Sequence, residues 1–266
     1  MATTATEVVL REVRDGVCVL TLNRPDRMNA WTHEMEARYF DLLEEADRDP
    51  ETRVVVVTGA GRGFCPGFDM QALSDMSAGE GSADVEAPRR PQAFPLTIRK
   101  PIVAAINGAC AGIGLVQALM CDIRFAAAGA KFTTAFARRG LVAEHGSSWM
   151  LPRLVGPARA LDLLLSGRVF LAEEAERLGV VNRVLPAETV LDEALAYARD
   201  LAENCSPAAM AAIKSQVYRD LERGLDDSVA DANRLMLESF ARPDFAEGVQ
   251  SFVERRPPRF APLDES

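Results

Sequence analysis

Twice in this chain a wholly apolar run gives way to a cluster of small residues and then to a helix-forming stretch. Val54-Val55-Val56-Val57 runs into Gly59-Ala60-Gly61-Arg62-Gly63, and Pro101-Ile102-Val103-Ala104-Ala105-Ile106 runs into Asn107-Gly108 and the small-residue stretch Ala109–Gly114. Apolar runs of this length bounded by turn residues read as buried strands. Glycines that follow a strand and open a helix let the backbone take tight turns and approach other backbone closely. Each such junction also presents unpaired N–H groups at the positive end of a helix. Two junctions that converge would offer two donors to one developing negative charge. The plainer reading, tight turns and close helix–sheet contacts alone, stands beside this one.

The remaining periodicity sets the class. Val17–Leu22 alternates as a half-buried strand, and Thr32 caps a helix to about Asp47 carrying Met35, Tyr39, Leu42, Leu43 and Ala46 near helical spacing. Asp122–Ala126 and Val180–Leu185 read as further strands. Helices are predicted at about Thr189–Asn204, Pro207–Arg223, Asp226–Ala241 and Asp244–Arg255. Strands alternating with helices, then a helical final third, make the fold α/β. The stretch Ser74–Gln92 lacks periodicity and reads as a mobile surface segment.

Composition narrows the chemistry. Five scattered cysteines and two histidines (His33 and His145) leave little material for a disulfide framework, a zinc site or a Ser-His-Asp triad. A net charge of −9 disfavours nucleic acid as partner, although a few arginines at a pocket can still attract a small anion. No apolar run is long enough to span a bilayer, and charges interrupt the N-terminal stretch, so the expectation is a cytoplasmic protein with no membrane partner.

Three segments stand together in order: LNRPDRMNAW (Leu22–Trp31), GRGFCPGFDM (Gly61–Met70) and NGACAGIGLVQALMCDIRFA (Asn107–Ala126). With ARRGL and LPRLVGPARALDLLLSGR downstream, they resemble the enoyl-CoA hydratase/isomerase family, the crotonase superfamily, from about Val8 to about Phe260. The resemblance implies a crotonase spiral of ββα units over residues 1–200 and a helical trimerisation region over residues 201–266. It implies a homotrimer or a dimer of trimers, no cofactor, and an acyl-CoA thioester substrate whose enolate is held by the N–H groups of Phe68, after Gly67, and Ile113, between Gly112 and Gly114. For coenzyme A it points to Arg24 and Arg27, with Gly63, Phe64 and Cys65 flanking the pantetheine and thioester. Arg62 is a further candidate, and Phe252, Arg255 and Arg256 would close the nucleotide site from a neighbouring subunit. A solvated-face reading of Arg24 and Arg27 remains open.

The acid–base groups depart from the hydratases of the family. Their two glutamates correspond here to Val116 and to Phe136 in the pair Ala135-Phe136. One acid remains, Glu144, in a segment similar to the base-bearing loop of Δ3,Δ2-enoyl-CoA isomerases. A single carboxylate suffices to carry a proton between two carbons while the oxyanion hole holds the charge. That resemblance implies an isomerase, with a hydratase and a weakly catalytic acyl-CoA-binding protein as alternatives. Glu144 also reads as a first-turn helix glutamate favoured by the macrodipole. Asp69 reads as the cap of a helix starting at Met70 rather than as a catalytic acid. His145 reads as structural or pocket-lining, Trp149 as core or acyl-pocket, and Cys65 and Cys110 as small buried residues without a base partner.

Overall fold

The computed structural model describes residues 7–71, 74 and 90–264. A large sheet is built from β1 (Val9–Arg14), β2 (Val17–Leu22), β3 (Val54–Gly59), β5 (Ile102–Ile106), β7 (Ile123–Ala127) and β10 (Arg183–Leu185), in that spatial order. Only the β1–β2 pair is antiparallel. A small sheet holds β4 (Gly63–Cys65), β6 (Ala109–Ala111) and β8 (Lys131–Thr133) in parallel, closed by the antiparallel β9 (Phe170–Leu171). Each consecutive pair, β3–β4, β5–β6 and β7–β8, gives one strand to each sheet. The expected spiral of ββα units is present.

Burial explains why these runs are strands. All six residues of β3 and all five of β5 are buried, as parallel strands covered on both faces must be. The helix α1 (His33–Arg48) covers part of the sheet with Met35, Tyr39, Leu42, Leu43 and Ala46, and the Thr32 hydroxyl accepts from the Met35 N–H at 3.2 Å. The helix α2 (Ile113–Leu119) is buried along its whole length. After it come α3 (Ser147–Val155), α4 (Pro157–Ser166), α5 (Ala172–Leu178) and α6 (Val190–Asn204), the last burying Val190, Ala194, Ala198 and Ala202.

Burial changes character beyond Asn204. In α7 (Pro207–Asp220), α8 (Leu225–Phe240) and α9 (Pro243–Glu254), only Pro207, Lys214 and Ser251 are buried. Large apolar side chains instead face outward, among them Phe252 at 85% exposure, Leu225 at 78% and Val253 at 73%. No helix among the described residues is long and apolar enough to cross a membrane.

Several sequence expectations need correction. The strand expected over Val180–Leu185 is confined to Arg183–Leu185, because Val180 and Val181 are spent in a buried turn whose N–H groups bond the Ala175 carbonyl. The C-terminal helices α7 to α9 each end a few residues or one residue short of the expected limits. The first strand and the small sheet were not expected at all. Three-residue strands of small side chains, such as β6, carry no readable periodicity. Residues 75–89 of the stretch read as mobile lie outside the described residues.

The fold depends on the absence of side chains at one contact. A Cβ at Gly114 would lie 2.3 Å from the Cys65 carbonyl oxygen, whereas one at Gly224 would meet nothing within 4 Å. Gly114→Ala is therefore expected to destabilise the protein by roughly 1–3 kcal/mol, as overpacking does. Gly224→Ala, at the N-cap of α8 with open space around it, should cost less, at most about 1 kcal/mol from the poorer cap. Urea unfolding of the two variants beside wild type checks this, and an unchanged midpoint for Gly114→Ala would contradict the packing argument.

Candidate active site

The two glycine-rich junctions meet through β4 and β6, which pair in parallel with Gly63 opposite Ala109 and Cys65 opposite Cys110. The chain leaves β4 through Gly67 at φ +116° and leaves β6 through Gly112 at φ +51°, both conformations that suit glycine. A Cβ at Gly112 would lie 3.7 Å from the Gly67 Cα, so the two turns are in contact. Phe68 forms a parallel bridge with Trp31 that uses the Trp31 and Asp69 N–H groups, at 2.8 and 2.9 Å, and passes over the N–H of Phe68. Ile113 is the first residue of α2, where a helix leaves its N–H unpaired. Two backbone N–H groups without an acceptor among the described residues thus flank one cavity.

Two asparagines hold the first turn in place. Asn107 at the end of β5 donates to the carbonyls of Gly59 and Gly61, both at 2.9 Å, and accepts from the Gly59 N–H at 3.2 Å. Asn29 donates to Ala60 and Gly63 at 2.9 and 2.8 Å and accepts from the Arg24 N–H. Asn29 is fully buried, and its left-handed φ of 64° is one that asparagine tolerates better than most residues. Sequence reading gave these asparagines no task. Their position immediately before or inside the motifs was the available signal.

The cavity has a volume of about 810 Å³ and is lined by Gly67, Phe68, Gly112 and Ile113 together with Arg27, Phe136, Arg139, Glu144 and His145, among others. That volume lies within the range of small-molecule sites. The expected residues divide as follows. Arg27 lines the cavity and suits an anionic group. Arg24 does not: its guanidinium donates to the Ala30 carbonyl at 2.5 Å and to Asp69 Oδ2 at 3.0 Å, which braces the loop. Gly63, Phe64 and Cys65 are buried beneath the cavity and are not among its lining residues. Arg62 is exposed and likewise does not line it, while Arg139, which sequence reading did not single out, does.

The acids are arranged unequally. Asp69 Oδ1 accepts from the Gln71 N–H at 3.1 Å, capping the helical turn at Met70, and its bond to Arg24 helps hold its carboxyl below the usual range. Glu144 stands in a turn ahead of α3 rather than in the helix, because Gly146 at φ +83° is the N-cap and α3 starts at Ser147. The first-turn helix reading of Glu144 is thereby replaced. Its carboxylate lies 3.6 Å from Nε2 of His145, whose own φ of 58° is left-handed. Val116 is buried in α2, and Phe136 presents an aromatic ring to the cavity. Trp149 packs against the core with Arg153 4.0 Å over its ring, and is not among the residues lining this cavity. No group of residues suited to a metal ion occurs among the described residues.

Comparison with known proteins bears on this geometry. The sequence profile of the enoyl-CoA hydratase/isomerase family matches residues 12–262. The chain is 37% identical to a 1,2-epoxyphenylacetyl-CoA isomerase of Escherichia coli (strain K12) over 259 residues, 96% of this chain and 98% of the relative. It is 35% identical to a protein named probable enoyl-CoA hydratase echA8 of Mycobacterium tuberculosis (strain CDC 1551 / Oshkosh), over 96% of this chain and 98% of that one. Among solved structures, a probable enoyl-CoA hydratase/isomerase from Mycobacterium abscessus superposes with a TM-score of 0.88 at 35% identity, covering 96% of this chain and 99% of the other. An enoyl-CoA hydratase, EchA12_1, from Mycobacterium marinum is 52% identical with a TM-score of 0.71, over 82% of this chain and all of the other.

The cysteines beside the donors are chemically quiet. Burial pushes the Cys65 thiol up to about 12 and the Cys110 thiol well above its ordinary value, so neither is a thiolate near neutrality. Of the five, only Cys205 is half-exposed. With a disulfide thiol reagent at about pH 8, the folded protein is expected to show one fast thiol at most, with the rest reacting only on unfolding. Rapid modification of Cys65 would contradict this description of the site.

Proposed function

The chain belongs to the enoyl-CoA hydratase/isomerase family, whose members act on CoA thioesters, and from that premise we propose that it is a Δ3,Δ2-enoyl-CoA isomerase with Glu144 as its base. One observation carries the choice: of the two carboxylates that line the cavity among the described residues, Asp69 is tied to Arg24 and the Gln71 N–H, which leaves Glu144 available for proton transfer. In this reading the thioester oxygen accepts from the N–H groups of Phe68 and Ile113. Glu144 removes a proton from C2 of a 3-enoyl thioester, the resulting dienolate is held by the two donors, and the same carboxyl returns the proton to C4. Arg27 and Arg139 supply positive charge at the cavity rim for the phosphates of coenzyme A.

The hydratase reading draws on the names of several relatives. It requires a positioned water and a second acid–base group. Apolar side chains, Val116 and Phe136, occupy the positions matching the hydratase glutamates, and that favours moving a proton over adding water. We further propose that residues 201–266 form a trimerisation region. Support comes from the outward apolar side chains of α8 and α9, since monomeric proteins rarely leave large apolar patches exposed.

Two measurements test these readings. Purified protein should convert a 3-enoyl-CoA to the 2-enoyl isomer, and Glu144→Gln should lower kcat by about 10²–10⁴-fold with KM little changed. Isomerisation at full rate in the variant would overturn the assignment. Hydration of crotonyl-CoA as fast as isomerisation would restore the hydratase, and binding of both esters without turnover would leave a binding protein. Light scattering should give three times the 28.9 kDa chain mass, or six times if trimers pair, and a monomer would contradict the assembly.

A further inference from the structure

A second cavity, of about 320 Å³, adjoins the first, and His33, Phe68, Ile113 and His145 line both. An acyl group whose thioester oxygen sits between the Phe68 and Ile113 donors has this space beside it. Its remaining wall includes Trp31, Glu36 and Gln92. That wall is not what a hydrocarbon tail requires, because Glu36 is a carboxylate with only 6% of its surface exposed.

Glu36 is held from behind and open in front. Its Oε2 accepts from Trp31 Nε1 at 3.3 Å and from Gln92 Nε2 at 2.5 Å. Gln92 is itself fixed, its Oε1 accepting from Gln117 Nε2 at 2.7 Å. Glu36 Oε1 accepts no hydrogen bond from any described residue, and Glu36 lines the cavity. The arginine of this wall does not compensate it, since Arg90 is engaged by Asp41 and Glu44 at 2.6 and 2.7 Å. Oε1 is not among the fully buried unpaired polar atoms of the described residues, so it keeps surface open to the cavity, where the donor of a ligand can reach it.

We propose that this cavity selects an acyl group bearing a hydroxyl, whose O–H donates to Glu36 Oε1. The proposal rests on reading the chain as an acyl-CoA enzyme and names the substrate class for that same site. A hydroxyl fits better than an ammonium. One acceptor oxygen matches one O–H, whereas an ammonium carries three donors and would share the cavity with the Arg90 cation. The Trp31, Gln92 and Gln117 bonds orient the acceptor before substrate arrives, so little ordering is left to be done on binding.

The test is binding of saturated six-carbon acyl-CoA esters, compared by calorimetry: hexanoyl-CoA and its isomers hydroxylated at C3, C4, C5 or C6. At least one of the C4 to C6 isomers should bind about 10- to 100-fold tighter than hexanoyl-CoA, the worth of a hydrogen bond to a charged group. Glu36→Gln should reduce that preference, taken as the ratio of the two affinities in the same variant, to a few-fold. Hexanoyl-CoA binding as tightly as every isomer would overturn the proposal, and the wild-type series decides this even if the variant does not fold. A preference confined to the C3 isomer and surviving Glu36→Gln would assign the contact to another residue and also overturn it. Saturated esters cannot be isomerised, so loss of the Glu144 assignment leaves this result standing, whereas failure to bind any acyl-CoA would sink both.

Discussion

The close approach of α2 to the small sheet, where Gly114 meets the Cys65 carbonyl, is the constraint on which the rest of the site depends. Backbone can come this near to backbone only where no Cβ intervenes. That contact, together with the pairing of β4 with β6, sets Gly67 and Gly112 against each other and leaves the N–H that follows each glycine without an acceptor among the described residues. Asn29 and Asn107 then fix the turn that leads into β4 by satisfying its carbonyls with side-chain amides. The two N–H groups are therefore part of the fold's framework, and in the proposed function they would receive a charge without reorganisation, the condition under which such electrostatic stabilisation is most effective.

Around this fixed pair the polar groups are sharply sorted. Asp69 is neutral in effect because Arg24 and a backbone N–H answer its charge. Phe136 puts an apolar side chain on one wall, Val116 is buried in α2, and the buried thiols of Cys65 and Cys110 are held in their protonated form. Glu144 is placed by a strained turn, with His145 and Gly146 both left-handed, instead of by a helix. Backbone strain of this kind persists only where surrounding structure enforces it, and it is often found beside functional groups. The proposed chemistry, one base working against a preformed oxyanion hole, follows from that sorting.

Much of this was legible in the sequence, and the division has physical reasons. The strands VVVV and IVAAI, the Thr32 cap and the long C-terminal helices are local patterns whose periodicity or composition declares them. The glycine motifs marked where backbone must come close, and it was the family resemblance that pointed from them to the N–H groups of Phe68 and Ile113. The small sheet stayed hidden, since three-residue strands are stabilised by their partners and not by their own residues. Arg24 was misplaced for a related reason: its partner Asp69 is 45 positions away, and only the fold brings them together. The Glu36–Gln92–Gln117 chain, with separations of 56 and 25 positions, was equally invisible.

The account stands on two backbone N–H groups that polarise a thioester. The most direct measurement is the carbonyl stretching frequency of a bound acyl-CoA carrying ¹³C at the thioester carbon, by infrared or Raman difference spectroscopy. Two donors at Phe68 and Ile113 predict a stretch shifted to lower frequency than in water, and a shift that shrinks in Gly112→Ala, where the left-handed turn positioning Ile113 is strained. A bound carbonyl vibrating at its aqueous frequency in the wild-type protein would contradict the account.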